Sequence, residues 1–328
     1  MGRLVLARAL FGCVVIAAWA APSGMCAAQP PRFDGRRAYE DLVRICRLGP
    51  RSSGSPGMAR QQHLLTEHFS RLGARVAFQS FDTTHPLTGG PVRLNNMIVS
   101  WDPDAEERIL LCCHYDTRPY PDRDRLRPRG VFVGANDGAS GVAVLMELGR
   151  SMAALRGRGG DGERPTGGVR YGVDFVFFDA EEFVFGPDDA YFLGSTHFAE
   201  QYRRRPPKHR YLCGVLFDMV ADRHLRIHME KNSLQFAPRV TRSIFRTAQR
   251  LRIREFVPTV RHTVNDDHIP LNRIAGIPTC DLIDFDYPAW HTTRDTPEQC
   301  SASSLQKVGS VISQWLWEGP PRDAVAAE

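Results

Sequence analysis

The 328 residues are 42% hydrophobic and 24% charged with a net charge of +5, proportions that exclude a disordered or fibrous chain and allow a substantial core. The arginines are spread along the sequence rather than set among aromatic residues on one stripe, so nothing supports nucleic-acid binding.

The chain opens with two arginines, an apolar run and then small residues ending in Cys26-Ala27-Ala28, the pattern of a secretory signal peptide. The apolar run is shorter than the roughly 20 residues a membrane span needs. Residues 1–28 are therefore expected to direct export and to be removed, leaving a periplasmic or secreted protein with no stable membrane insertion. Met25 argues against a lipid anchor at Cys26. No long Pro/Gly/Ser linker divides the rest, so residues 29–328 are expected to form one domain. Beyond the leader lie Cys46, Cys112, Cys113, Cys213, Cys280 and Cys300, without a C-x-x-C pair; a disulfide pairing is not readable from their spacing, nor is an oligomeric state.

Helical spacing of apolar residues predicts helices over 36–48 and 58–72, joined by the loop GPRSSGSPG. Strands are expected over 74–81, 95–101 and 108–113, the last of which, ILLCC, is apolar throughout, as in a strand covered on both faces. A short strand at VFV precedes GANDG. A helix over 138–153 follows, then a Gly-rich connection over 156–169. Apolar strands at 173–178, 212–217 and 277–283 and a helix over 303–317 complete the series. Such alternation indicates an α/β fold in one domain, with a central, mixed, mostly parallel sheet flanked by helices on both faces.

In sheets of this kind ligands gather just past the carboxyl ends of the strands. Five apolar runs are followed there by an acid or an imidazole: His114 with Asp116, Asp137, the pair Glu181 and Glu182, Asp218, and His291 beside Trp290. Singly, each has an ordinary explanation: a histidine bonded beneath a loop, a helix N-cap, a solvated turn, a salt bridge, a packed aromatic pair. Together they form the imidazole and carboxylate set that zinc favours in hydrolytic sites, where three protein ligands leave one position open. On this reading Glu182 ligates the cation and Glu181 keeps its capacity to move protons. Asp116 supports a ligand from behind.

The segments GSPG (54–57), CHYDT (113–117), FVGANDGASGVAVLMELGR (132–150), FVFFDAEEF (175–183), LGSTHFA (193–199), LFDMVAD (216–222) and 266–296 resemble the zinc-dependent M28 peptidase clan, which contains aminopeptidases and glutaminyl-peptide cyclotransferases. For a cyclotransferase the resemblance implies one zinc ion on Asp137, Glu182 and His291. Glu181 would then be the proton carrier, assisted by an acid network of Asp218 and Asp266, and Trp290, Asn265 and Tyr287 would contact the substrate. For an aminopeptidase it implies two ions, with His114 and Asp218 holding the second and Glu181 activating a water. The segment around Asn265-Asp266-Asp267, the Trp290-His291 dipeptide and GPDDAYFLGSTHFA favour the cyclotransferase. Its substrates would be peptide or protein N-termini. A tryptophan that animal cyclases carry after the Glu pair is absent, with Phe183, Phe185 and Tyr191 as its possible substitutes.

Overall fold

The computed structural model describes Met1, residues 30–156 and residues 171–321. The expected leader and the Gly-rich connection therefore lie, apart from Met1 and Arg156, outside the described residues. In chain order the elements are α1 (Gly35–Cys46), α2 (Pro56–Arg71), β1 (Arg75–Thr84), β2 (Pro91–Trp101), β3 (Glu107–His114), α3 (Ala139–Arg156), β4 (Gly172–Phe178), α4 (Leu193–Arg204), β5 (Arg210–Asp218), β6 (Ile227–Met229), α5 (Lys231–Phe236), α6 (Pro238–Arg250), β7 (Phe256–Val260), α7 (His268–Arg273), β8 (Thr279–Ile283) and α8 (Ala302–Glu318).

Helix starts follow local chemistry. The Asp34 carboxylate accepts the N–H groups of Arg36 and Arg37, Ser55 accepts that of Met58 ahead of Pro56, and Ser301 accepts that of Ser304. The sequence reading stops short at several elements. It gives no element at α4, α5, α6, α7, β6 or β7. Helix α6, PRVTRSIFRTAQR, buries Val240, Ile244, Phe245 and Ala248 at i, i+4, i+5 and i+8 behind a face rich in arginine, so its apolar content is low although its periodicity is strong. The strand expected at VFV is not formed. Residues 131–138 are a loop punctuated by Gly134 at φ +58° and Gly138 at φ +98°, conformations open to glycine and strained for most other residues.

One six-stranded sheet runs in the order β1-β2-β4-β3-β5-β8, with β1/β2 and β2/β4 antiparallel and the other three pairs parallel. A small two-stranded sheet pairs β6 with β7. The two-residue period divides each central strand between two cores. Ile109, Leu111 and Cys113 of β3 face the larger core with side chains of α1, α2, α3, α6 and α8, whereas Leu110 and Cys112 face Phe198 of α4 and Leu271 of α7. All six described cysteines are unpaired and buried; Cys112 and Cys113, adjacent in the chain, point to opposite faces.

Strand β3 lies between β4 and β5. The chain leaves β3 by α3 on one face to reach β4, then returns by α4 on the other face to β5. The connections part at the carboxyl ends of these strands, which is where a crevice opens in sheets of this kind.

Candidate active site

His114 closes β3 and Asp218 closes β5. The turn after β4 is held from beneath by the buried Asp179, whose carboxylate accepts the Ser53 hydroxyl at 2.6 Å and the Asn95 N–H at 2.8 Å. Burial pushes this acid up to about 7. Ala180 takes a left-handed conformation, φ +59°, and the Asp116 carboxylate accepts the next two backbone N–H groups, Glu181 at 3.2 Å and Glu182 at 3.0 Å. Asp116 thus fixes the acid pair through its backbone, while lying 3.7 Å from His114 Nδ1. From the pinned turn the two side chains reach different imidazoles. Glu182 Oε1 lies 2.7 Å from His291 Nε2, whereas Glu181 Oε2 lies 3.8 Å from His114 Nδ1.

Asp137 arrives from the loop before α3, not from a strand end. Asp295 accepts the N–H groups of Asn136 at 2.8 Å and Asp137 at 3.1 Å. The Asp137 carboxylate then has Oδ1 3.3 Å from His114 Nε2 and Oδ2 3.5 Å from His291 Nε2. Oδ2 is buried without a hydrogen-bond partner. His291 itself sits at φ +54° in the loop after β8, and its Nδ1 faces Asp122 Oδ1 at 3.0 Å.

Ligand atoms of Asp137, Glu182 and His291 all lie within 4.8 Å of one another, and all three residues are buried. An orphaned carboxylate oxygen among two acids and an imidazole is the donor set that zinc takes, so these residues fit the ion. A second grouping, His114, Asp137 and Asp218, meets the same distance limit, as does a third, His114, Glu181 and Glu182. Burial and the neighbouring Glu182 raise Asp137 to about 6. Burial opposes charge on Glu182, but His291, His114 and Arg118 outweigh it and bring this acid down to about 2. Burial likewise opposes charge on His291, yet Glu182 and Asp122 lift it to about 10.

A cavity of about 380 Å³ opens above this cluster. Of the residues singled out in the sequence, Asp137, Glu181, Glu182, Asp218, Asn265, Asp266, Trp290 and His291 line it. His114 lies beneath, almost wholly buried. Burial raises Glu181 well above the usual glutamate range, with Glu182 and Asp266 adding to the effect and His114 opposing it. Asp266 is raised in the same way by burial and by Asp218 and Asp267. These are acids that hold protons where a surface carboxylate would have lost them.

Several expectations are corrected by the geometry. Tyr287 does not line the cavity: its hydroxyl donates to Asp295 Oδ1 at 2.7 Å, so it braces the Asp137 loop. Among the described residues no direct hydrogen bond joins Glu181, Asp218 and Asp266. Asp218 instead faces His114 Nε2 at 3.2 Å, and Asp266 Oδ1 accepts the Asp267 N–H at 2.5 Å. Of the three aromatic substitutes, Tyr191 reaches the cavity, joined there by Phe192, whereas Phe183 and Phe185 pack against each other outside it.

Sequence reasoning missed Arg118, Asp122 and Asp295. Arg118 donates its backbone N–H to Glu182 Oε2 at 3.0 Å, and its guanidinium reaches Asp122 at 2.9 Å and the Tyr191 hydroxyl at 3.2 Å. Asp122 in turn orients His291, the arrangement by which a carboxylate fixes the tautomer of a metal-binding imidazole. Asp122→Asn is expected to weaken zinc affinity by about 10- to 100-fold without unfolding the chain. A chelator competition titration measures it, and unchanged affinity would remove Asp122 from the site.

A mixed α/β sheet carrying these acids and imidazoles at its carboxyl edge is the frame of a zinc exopeptidase-like enzyme. Residues 96–316 match the model of Peptidase family M28, and the chain belongs to that family. Within it, the chain is similar to a glutaminyl cyclase from Fimbriiglobus ruber, at 37% identity and a TM-score of 0.81, covering 88% of this chain and 97% of that one. A glutaminyl-peptide cyclotransferase-like protein of Bos taurus is 26% identical over 309 residues, 88% of this chain and 76% of that protein. A leucine aminopeptidase precursor from Bacteroides thetaiotaomicron is 27% identical with a TM-score of 0.79, covering 89% of this chain and 99% of that one.

Proposed function

We propose that the protein is a zinc-dependent glutaminyl-peptide cyclotransferase, closing N-terminal glutamine of peptides or proteins into pyroglutamate with release of ammonia. The likeness to the Fimbriiglobus ruber glutaminyl cyclase over 88% of the chain is the observation that carries this reading. Trp290, Asn265 and Asp266 on the cavity wall agree with it.

Asp137, Glu182 and His291 would hold one zinc ion, which supplies Lewis acidity toward the oxygen of the glutamine γ-carboxamide. Glu181 takes a proton from the substrate α-amine as that nitrogen bonds to the γ-carboxamide carbon. It returns the proton to the nitrogen that departs, so one C–N bond forms, one breaks and ammonia leaves. Its raised proton affinity suits both directions of transfer near neutral pH. Asp218 and Asp266 share the wall with Glu181, and the burial that raises Asp266 keeps a proton near it. Trp290 and Asn265 bound the space for the glutamine side chain. Export would follow from the leader read over residues 1–28.

A second reading has a specific observation in its favour: His114, Asp137 and Asp218 also converge, which would give a two-zinc aminopeptidase with Glu181 activating water. Two measurements separate them. The cyclotransferase is expected to release ammonia from a glutaminyl peptide and to bind one zinc per chain. A rapid release of leucine from its anilide with two zinc ions per chain and no ammonia would establish the other.

A further inference from the structure

We propose that the arginine-rich loop at the cavity mouth docks acidic side chains in the residues that follow the N-terminus of the substrate, an inference that rests on the cyclotransferase reading. Residues 118–131 hold five arginines and two aspartates, a net +3 within a chain whose whole net charge is +5. Arg123, Arg125, Arg127 and Arg129 are all exposed. The two acids of the loop are engaged elsewhere. Asp122 faces Arg118 and His291, and Asp124 accepts the N–H groups of Leu126, Arg127 and Thr293. Among the described residues no carboxylate stands within ion-pair distance of the four exposed arginines. Two of them rest on rings instead: Arg123 lies 3.8 Å over Trp290 and Arg129 lies 5.6 Å over Tyr120. Ring contacts hold a guanidinium in place without neutralising it.

The loop is built to keep this charge where it is. Arg123 donates its N–H to the His291 carbonyl at 3.1 Å, Asp124 N–H goes to Pro121 O at 2.9 Å, and Gly130 N–H to Arg127 O at 2.8 Å. Arg123 lines the cavity beside Trp290, and Thr263, Asn265 and Phe285 add uncharged side chains to the lining. On this proposal a peptide whose first residue fills the cavity leaves past Trp290 and Arg123, with each further residue advancing about 3.3 Å. Arg125 and Arg127 come next in the loop and are exposed, and on this proposal they meet the third and fourth substrate residues. Exposed charges of this kind act mainly on encounter rate and salt dependence, each pair contributing a factor of about 1.5 to 5.

The test compares kcat/KM for ammonia release by the zinc-loaded protein from the amides of Gln-Gly-Glu-Glu, Gln-Gly-Ser-Ser and Gln-Gly-Lys-Lys, at low and high ionic strength. The expected order is Glu over Ser over Lys, with about a tenfold gap between Glu and Ser at low salt that closes at high salt. In the double variant Arg125→Glu/Arg127→Glu the order is expected to invert while the Ser peptide is processed as before. Equal kcat/KM for the three peptides at low salt, or a preference that survives the double variant, overturns the inference alone. Absence of ammonia from all three overturns the cyclotransferase reading, and this inference with it.

Discussion

Glu181→Gln is expected to lower turnover of a glutaminyl peptide by about 10² to 10⁴, the usual contribution of general acid–base catalysis, with zinc content unchanged. The two glutamates of the turn differ in their neighbours. Both line the cavity, but Glu182 groups with Asp137 and His291, whereas Glu181 Oε2 lies 3.8 Å from His114 Nδ1 and stands outside that group. The amide of glutamine preserves the shape of the side chain and the backbone N–H bonded to Asp116, but it cannot accept and return a proton. Substrate affinity is therefore expected to change little, so the loss falls on kcat. Metal analysis of the purified variant separates this result from a lost ion. Turnover equal to the parent would exclude Glu181 as the proton carrier.

His291→Ala is expected to have the opposite profile: zinc lost on dialysis, with activity restored only at high added zinc, if at all. His291 supplies the sole imidazole of the Asp137–Glu182–His291 cluster, and its removal leaves two buried carboxylates facing each other. Asp137 is already raised to about 6 by burial and by Glu182, so without the imidazole one of the pair would bind a proton in place of a metal. Equilibrium dialysis with zinc reports the affinity directly, and circular dichroism shows whether the fold persists. Parent-like zinc affinity in this variant would place the ion elsewhere, with the His114, Asp137 and Asp218 grouping the next to examine.

The centre of the sheet was legible because its strands carry apolar runs that match burial on two faces: ILLCC lies at the centre of β3, and VDFVFF fills β4. The amphipathic α6 was not, because its arginines mask a buried stripe that only its period reveals. For the site, position after an apolar run located His114, Glu181, Glu182 and Asp218, since the residue that ends a strand of the sheet must emerge at its rim. Asp137 was found for a partly mistaken reason, as the run before it is a glycine-punctuated loop. Asp122 had no local signature: DRDRLR reads as a solvated segment, and only the approach of this loop to the one carrying His291 brings the two together. Tyr287 misled through closeness in sequence to Trp290. The chain turns between them, with Trp290 N–H reaching Tyr287 O at 3.4 Å, which leaves one ring on the cavity and the other against Asp295.

The six unpaired thiols bear on how the molecule tolerates its surroundings. Burial raises the proton affinity of Cys46, Cys112, Cys113, Cys213, Cys280 and Cys300, so little thiolate forms and oxidants find few reactive sulfurs. No crosslink among these six holds the domain together. Within the described residues the native state needs no oxidising milieu, and reducing agents have no covalent tie to cut there.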